Sequence, residues 1–330
     1  MALLELKNLN KKFDISANSF FAKEEDKLHV VNDLSLSLEE AECLVLVGES
    51  GCGKSTLAKL VTRILDCDSG EIQFLGEDFL ALKSSKLREK RKAMQMIFQN
   101  PFSSLDPRFK IFDSIAEPLR INKAQEGFPK NEAEIKDKVY ELMSLVELDP
   151  VLATKFPHQC SGGQNQRVCI ARAIASKPKL IIADEAVSAL DVSVQWVVLK
   201  LMKKLKEELG ISFLFITHDL AVVKFIADRV AVMYLGEIVE MASKDDLFKN
   251  PKHPYTRALL NAAPIPDPKI RDRERFFLEG EIPKANKIPA GCAFHTRCPE
   301  RFEACSQEKP ILKDLGDEAK VHCVSCLLYK

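Results

Sequence analysis

The chain has 330 residues, 46% apolar and 29% charged, with 48 basic against 48 acidic side chains and therefore no net formal charge. That is enough for one large domain with an appendage or for two modest ones, and the balance argues against the basic surface a nucleic-acid binder needs to displace counterions. No apolar run reaches the roughly 18 residues of a membrane-spanning helix, and Met1 to Asn10 is too short and too polar for a secretory core, so the expected location is the cytosol, with any membrane reached through a partner.

In chain order, Leu4-Glu5-Leu6-Lys7 and Leu34 to Leu38 alternate with a period of two, as half-buried strands do. The polar stretch between them, Lys/Glu-rich near Lys23 to Lys27, reads as a hairpin loop. Cys43 to Val47 is a short apolar strand that stops at Gly48, and a helix follows over about Ser55 to Leu65. Ala93 to Phe98 is a further strand, broken by Asn100-Pro101. From Ile111 to Ala175 the period is helical, with Asp113, Asn131 and Ser161 placed as N-caps. Leu180 to Ala183 and Phe213 to Thr217 are apolar strands separated by a long helix, about Val192 to Leu209. Arg229 to Tyr234 and Glu237 to Met241 can pair through a turn at Leu235-Gly236.

Strand–helix–strand alternation argues for a mostly parallel sheet covered on both faces. The helical stretch is too long for one crossover and reads as an inserted subdomain, about 101–175. After Asn250 prolines multiply and the periodicity fades, which divides the chain into 1–250 and 251–330. Ten cysteines are present. Cys43, Cys52, Cys67, Cys160 and Cys169 are scattered, as small buried apolar residues are. The other five crowd the last 40 residues, a pattern that in the cytosol points to metal or redox chemistry rather than disulfides.

Gly48-Glu49-Ser50-Gly51-Cys52-Gly53-Lys54-Ser55-Thr56 fits a phosphate-binding loop between a strand and a helix. Its glycines let backbone N–H groups curl round a β-phosphate. Lys54 adds charge for the β and γ phosphates, Ser55 a hydroxyl ligand for Mg²⁺, and the helix its positive end. About 130 residues later, an apolar strand ends in Asp184 and Glu185. There Asp184 suits the Mg²⁺ shell and Glu185 the general base that polarises the attacking water. His218 follows another strand at the edge where ligands of parallel sheets collect. A lone histidine there is commonly structural; beside the other two motifs it is assigned to the γ-phosphate. Ser161-Gly162-Gly163-Gln164 opens a helix and so offers a second anion site. It precedes the Asp184 strand, and the economical reading is that it caps the γ-phosphate held by a partner chain.

With these motifs in this order the chain resembles the ABC ATPases over about Leu3 to Met241. Their signature usually begins with Leu where this chain has Cys160, and Asn165 stands where a basic or apolar residue is usual. The resemblance implies that Gln99 senses Mg²⁺ and links to a transmembrane partner, and that Ser188-Ala189-Leu190-Asp191 bridges the two nucleotide sites of a dimer. Phe13 resembles the aromatic that stacks on adenine, though it would equally suit a core. The implied fold is an α/β P-loop domain with an antiparallel β subdomain and the helical insertion.

Asn250 to Leu260 and Asn100 to Pro107 look like segments of ATPases from oligopeptide, dipeptide and nickel importers. This implies ATP hydrolysis that drives peptide import, with nickel as the alternative cargo and a soluble ABC ATPase of DNA repair or translation as the rival class. It also implies two membrane permeases, an extracytoplasmic solute-binding protein and a second, different ATPase, on the cytoplasmic face of the membrane. The segment Gly291 to Pro299 resembles the cysteine-bearing tail of that subfamily. Cys292, Cys298, Cys305 and Cys323 suit a [4Fe–4S] cluster or a structural Zn²⁺. Only Cys323 and Cys326 have knuckle spacing, which favours the cluster; Cys326, His295 and His322 are possible substitutes.

Overall fold

The computed structural model describes residues 2–14, 27–262, 280–316 and 321–329. The stretch from Lys23 to Lys27 read as a hairpin loop lies outside them, apart from Lys27. The strands are β1 (Ala2–Asp14), β2 (Lys27–Glu39), β3 (Cys43–Val47), β4 (Ser69–Phe74), β5 (Glu77–Asp78), β6 (Met94–Ile97), β7 (Leu180–Asp184), β8 (Ser212–Ile216), β9 (Arg229–Tyr234), β10 (Glu237–Ser243), β11 (Lys313–Asp314) and β12 (His322–Val324). The α-helices are α1 (Lys54–Val61), α2 (Ser84–Lys92), α3 (Pro101–Ser104), α4 (Ile111–Asn122), α5 (Glu132–Leu145), α6 (Gly162–Ile174), α7 (Val192–Leu209), α8 (Leu220–Ile226), α9 (Lys244–Lys249) and α10 (Pro254–Ala262). The described residues fall into two compact units, one made of those within 39–43 and 81–216, the other of those within 2–38, 44–80 and 217–329.

In the first unit, β6, β7 and β8 run parallel, with Ile97 beside Ala183 and Asp184 beside Ile216. Every residue of β7 and β8 is buried, which is why both read as unbroken apolar runs and not as alternating ones. The inserted helices α4, α5 and α6 turn Ile115, Leu119, Val139, Leu142, Val168 and Ile170 inward, each contributing roughly 1.5–3 kcal/mol of burial. Asn131 and Ser161 do cap their helices, accepting from the N–H groups of Glu134 and Gln164. Asp113 does not. It lies in the first turn of α4, whose N-cap position is Lys110. The N–H of Ile111 is satisfied instead by the Lys155 carbonyl at 2.9 Å, so a distant loop takes the place of a capping side chain.

The second unit holds an antiparallel sheet in the order β2-β1-β4-β5, with Leu4 opposite Phe74 and Leu6 opposite Ile72. It also holds the phosphate-loop strand β3, parallel to β9 with Val47 beside Val232. From β9 the chain turns back into β10 through Leu235 and Gly236, both left-handed, as a two-residue hairpin turn requires. Residues after Asn250 belong to this same unit. Their strand β12 pairs with β10, setting Glu240, Met241 and Ala242 opposite Val324, Cys323 and His322.

Candidate functional site

Gly48 ends β3 because nothing larger fits. A Cβ there would stand 2.2 Å from the Met233 carbonyl oxygen. Gly53, the N-cap of α1, combines a left-handed φ of 109° with a carbonyl, that of Val30, 2.3 Å from any Cβ. Gly51 is also left-handed, and the space beside it is open. The loop is thus pinned at both ends and unobstructed in the middle, where Ser50 and Gly51 are exposed. Lys54 is buried, and its ammonium donates to the carbonyls of Gly48 (2.8 Å) and Glu49 (3.0 Å), which fixes a positive charge inside the curl. Burial pushes the Cys52 thiol up despite the neighbouring Lys54. Ser55 is exposed on the first turn of α1, and Thr56 is half-buried beside it. Its N-terminal turn, free of acidic side chains, suits the loop to an anion.

In the same unit His218 is exposed directly after β8, between buried Thr217 and Asp219; Asp219 caps α8 by accepting from the N–H of Ala221. Phe13 is half-buried on β1, with the Lys11 ammonium 5.5 Å from its ring centroid.

The first unit gathers the carboxylates. Asp184 is the buried last residue of β7. Glu185 follows with φ of 48°, a left-handed conformation that a non-glycine residue adopts at a cost and that is concentrated at working sites. Its backbone is held there, its N–H donating to the Ile216 carbonyl (3.0 Å) and its own carbonyl accepting from Ser188 Oγ (3.0 Å). Gln99, just beyond β6, donates through Nε2 to Glu185 Oε2 at 2.7 Å and reaches Ser188 Oγ at 3.4 Å. Gln99, Glu185 and the first residue of the Ser188–Asp191 segment therefore form one polar chain. Asp191 occupies the N-cap position of α7.

Ser161 and Gln164 close a reciprocal capping box, Gln164 N–H to Ser161 Oγ (3.2 Å) and Ser161 N–H to Gln164 Oε1 (2.8 Å). Gly162 is half-buried, and Gly163 lets α6 approach α7, since a Cβ on it would lie 2.3 Å from Val194 Cγ1. The unusual Asn165 is fully buried and donates to the Pro157 carbonyl at 2.9 Å, fastening the turn that delivers Ser161. Cys160 is buried, which raises its thiol pKa.

In the C-terminal region, Cys292 and Cys298 are each pushed up to about 11, chiefly by burial, with the charges of Cys305 and Cys326 adding to it. Cys326 is raised by burial and by Cys305. These four thiols are near neighbours. Cys323, on β12, is raised by burial and then by Asp314, with Arg229 opposing. Among the described residues no group of three or more His, Cys, Asp or Glu side chains stands in metal-holding geometry. His322 Nε2 lies 2.7 Å from Glu240 Oε1, and His295 Nδ1 lies 2.9 Å from the Cys292 carbonyl. The role of Ser188 as a partner of Gln99 was missed in the sequence; its signal is its place three residues after Glu185.

Residues 31–188 match the family described as ABC transporter, and residues 239–305 match that described as oligopeptide/dipeptide transporter, C-terminal region. The oligopeptide transport ATP-binding protein OppF of Salmonella typhimurium is 46% identical, covering 98% of this chain and 96% of its own length. The dipeptide transport ATP-binding protein DppF of Escherichia coli is 44% identical over 96% of this chain and 92% of its own. Among solved structures, the dimeric post-hydrolysis state of the ATP-binding cassette MJ0796, bound to ADP and Pi, superposes with a TM-score of 0.63 at 27% identity, covering 73% of this chain and 98% of that one.

Proposed function

Because the chain belongs to the ABC transporter family, in the branch of oligopeptide and dipeptide transport ATP-binding proteins, we propose that it is the ATP-hydrolysing motor of a peptide importer. The observation that carries the ATPase reading is the phosphate loop, which is glycine-pinned at both ends and has the Lys54 ammonium held inside it. The cargo class follows from relatives whose names say peptide and which match nearly end to end; these favour peptide over nickel.

In the proposed cycle, the loop and Lys54 bind the ATP phosphates. The Ser161 helix N-terminus of a partner subunit closes on the γ-phosphate, with His218 beside it. Ser55, Gln99 and Asp184 would each offer Mg²⁺ an oxygen ligand, and the ion's charge would support phosphoryl transfer. Glu185 takes the proton of the attacking water. Gln99, bonded to Glu185, orients it until nucleotide arrives. Phe13 stacks on the adenine, and the Ser188–Asp191 segment passes the state of one site to the other. The partner subunit is a second, different ATPase, the pair works on two permeases at the cytoplasmic face of the membrane, and a solute-binding protein delivers the peptide.

A groove of about 450 Å³ in the first unit supports a permease partner. Phe98 and Ile121 are exposed along it, and Arg88, Arg91 and Lys92 line it beside the Arg172–Glu117 ion pair, which suits an apolar segment carrying acidic residues. Among the described residues no helix is long and apolar enough to cross a membrane.

The thiols of Cys292, Cys298, Cys305 and Cys326 have the chemistry of a metal centre but do not stand in ligating positions, so no step of the cycle is routed through one. The proposed centre, a [4Fe–4S] cluster with Zn²⁺ as the alternative, takes Cys326 in place of Cys323 as fourth ligand, since the charge of Cys326 bears on Cys292 and Cys298 while the Cys323 thiol responds to Asp314 and Arg229. Iron and sulfide analysis of anaerobically purified chain distinguishes the two metals. Retention of full metal content in Cys326→Ser with loss in Cys323→Ser would reverse that ligand choice.

The functional test is ATP turnover by the complex captured from detergent-solubilised membranes on a tagged chain. The expected companions are two multi-span permeases and a second ATPase, and Glu185→Gln should keep ATP binding while losing roughly 10²–10⁴ in rate. Full turnover in Glu185→Gln would overturn the assignment of the base, and recovery of soluble companions alone would overturn the importer reading.

A further inference from the structure

Glu49, the second residue of the phosphate loop, is anchored twice, and both anchors come from beyond Asn250. Its backbone N–H donates to Tyr255 Oη at 3.0 Å. Its carboxylate accepts a two-pronged bond from Arg297, Nη1 to Oε2 at 2.8 Å and Nη2 to Oε1 at 3.1 Å. The Arg297 side chain is only 6% exposed, and its guanidinium lies 6.0 Å from the Tyr234 ring centroid. Tyr255 is fully buried, its ring 4.8 Å from that of Tyr234 and 5.4 Å from that of Phe294. Both anchors are therefore rigid: a planar fork that matches a carboxylate and a hydroxyl on a ring locked in a core.

What they hold bears on the nucleotide. The Glu49 carbonyl is one of the two that accept from Lys54 Nζ, so the anchored residue itself seats the phosphate lysine. Its carboxylate, one residue past Gly48, would otherwise place an unbalanced negative charge beside a triphosphate, and Arg297 cancels it. A loop fixed in advance also loses less conformational entropy when phosphate binds.

We propose that Arg297 and Tyr255 are positioning residues for ATP binding, through which the C-terminal extension holds the phosphate loop in its binding shape. This rests on the ATPase reading above. Neither residue touches nucleotide; both act through Glu49. The contribution belongs to binding and not to the hydrolytic step, because Gln99 and Glu185 make none of these contacts.

The test measures the Kd of a fluorescent ATP analogue on the full chain, with KM and kcat of the assembled complex, for Arg297→Met, Tyr255→Phe and the double variant Arg297→Met/Glu49→Gln. Arg297→Met should raise Kd and KM about tenfold, since a backbone residue must be re-ordered and the Glu49 carboxylate is left unpaired beside the phosphates, with kcat within about twofold of wild type. Tyr255→Phe keeps the buried ring and removes only the hydroxyl, so it should fold and show a smaller rise in the same direction. Adding Glu49→Gln to Arg297→Met should recover part of the affinity, the part lost to the carboxylate left unpaired; a general loss of packing would not be rescued. Kd values within twofold of wild type in both single variants, or a double variant no tighter than Arg297→Met, would overturn the proposal. Failure of the wild-type chain to bind the analogue would instead overturn the phosphate-loop reading.

Discussion

Glu240 is a carboxylate with no exposed surface, in the middle of β10. Its Oε1 accepts from the Lys252 N–H and lies against His322 Nε2, both at 2.7 Å, while Oε2 accepts from the His253 N–H at 2.9 Å. These donors outweigh the cost of burial, and the carboxyl is held below its ordinary range. Replacing it by glutamine keeps the shape but supplies one oxygen and one NH₂. With the NH₂ in the Oε2 position it confronts the His253 N–H; in the Oε1 position it confronts that of Lys252. Either way one buried N–H faces another donor, at about 1–3 kcal/mol, and the surviving bonds lose their charge assistance, roughly 1 kcal/mol each. Relief of carboxylate desolvation offsets part of this, leaving about 3 kcal/mol. The loss should be local, since the groups released belong to residues 252, 253 and 322. Hydrogen exchange followed by mass spectrometry should therefore report roughly hundredfold faster exchange at the Lys252 and His253 amides in Glu240→Gln. Amides of β7, in the other unit, should change far less. Protection at 252–253 within threefold of wild type would refute the reasoning.

His253 supplies a pH dependence. Burial lowers its pKa from 6.5 to about 4, and its Nδ1 accepts from the Tyr255 N–H, so the folded state keeps the ring neutral. Because the folded pKa is the depressed one, the stability is present above pH 6.5 and is lost on acidification toward pH 4, by up to roughly 3 kcal/mol; thermal midpoints from pH 7 to 4.5 should fall less steeply in His253→Gln, and equal slopes would sink the assignment. Gly163→Ala should cost about 1–3 kcal/mol as the new methyl forces α6 from Val194, and Val194→Ala should restore most of the lost thermal midpoint.

Much of the nucleotide machinery was legible because its signals are local. Cys43–Val47 is an all-buried strand stopped by a glycine that cannot be larger, and Val192–Leu209 runs to a left-handed Gly210. The Gln99, Ser161 and Glu185 motifs each lie within a few residues of a strand or helix end. What escaped depends on distant partners. Glu240 reads as one more charge in a strand; its burial is set by residues up to 82 positions away. Strand β12 is three residues long, below any periodic signal, and only its register with β10 sets Cys323 opposite Met241. Asp113 is not a cap because α4 begins two residues earlier, at Ile111, where the distant Lys155 carbonyl receives the first N–H.

The weak apolar periodicity after residue 250 invites the idea that a metal is what folds the tail. Its described residues have other means of support. Tyr255 and Phe294 pack with Tyr234 in a buried ring cluster, with ring centroids 4.8–5.4 Å apart. Glu240 ties residues 252, 253 and 322 to β10, and β12 extends the same strand's hydrogen bonding. None of these contacts involves a thiol. The cysteines instead bracket one short loop, Cys292 to Cys305, whose backbone closes through Cys292 N–H to the Cys305 carbonyl at 2.9 Å. That loop carries Arg297. A metal on these thiols would thus not decide whether the extension folds, since strand pairing and ring packing already do so.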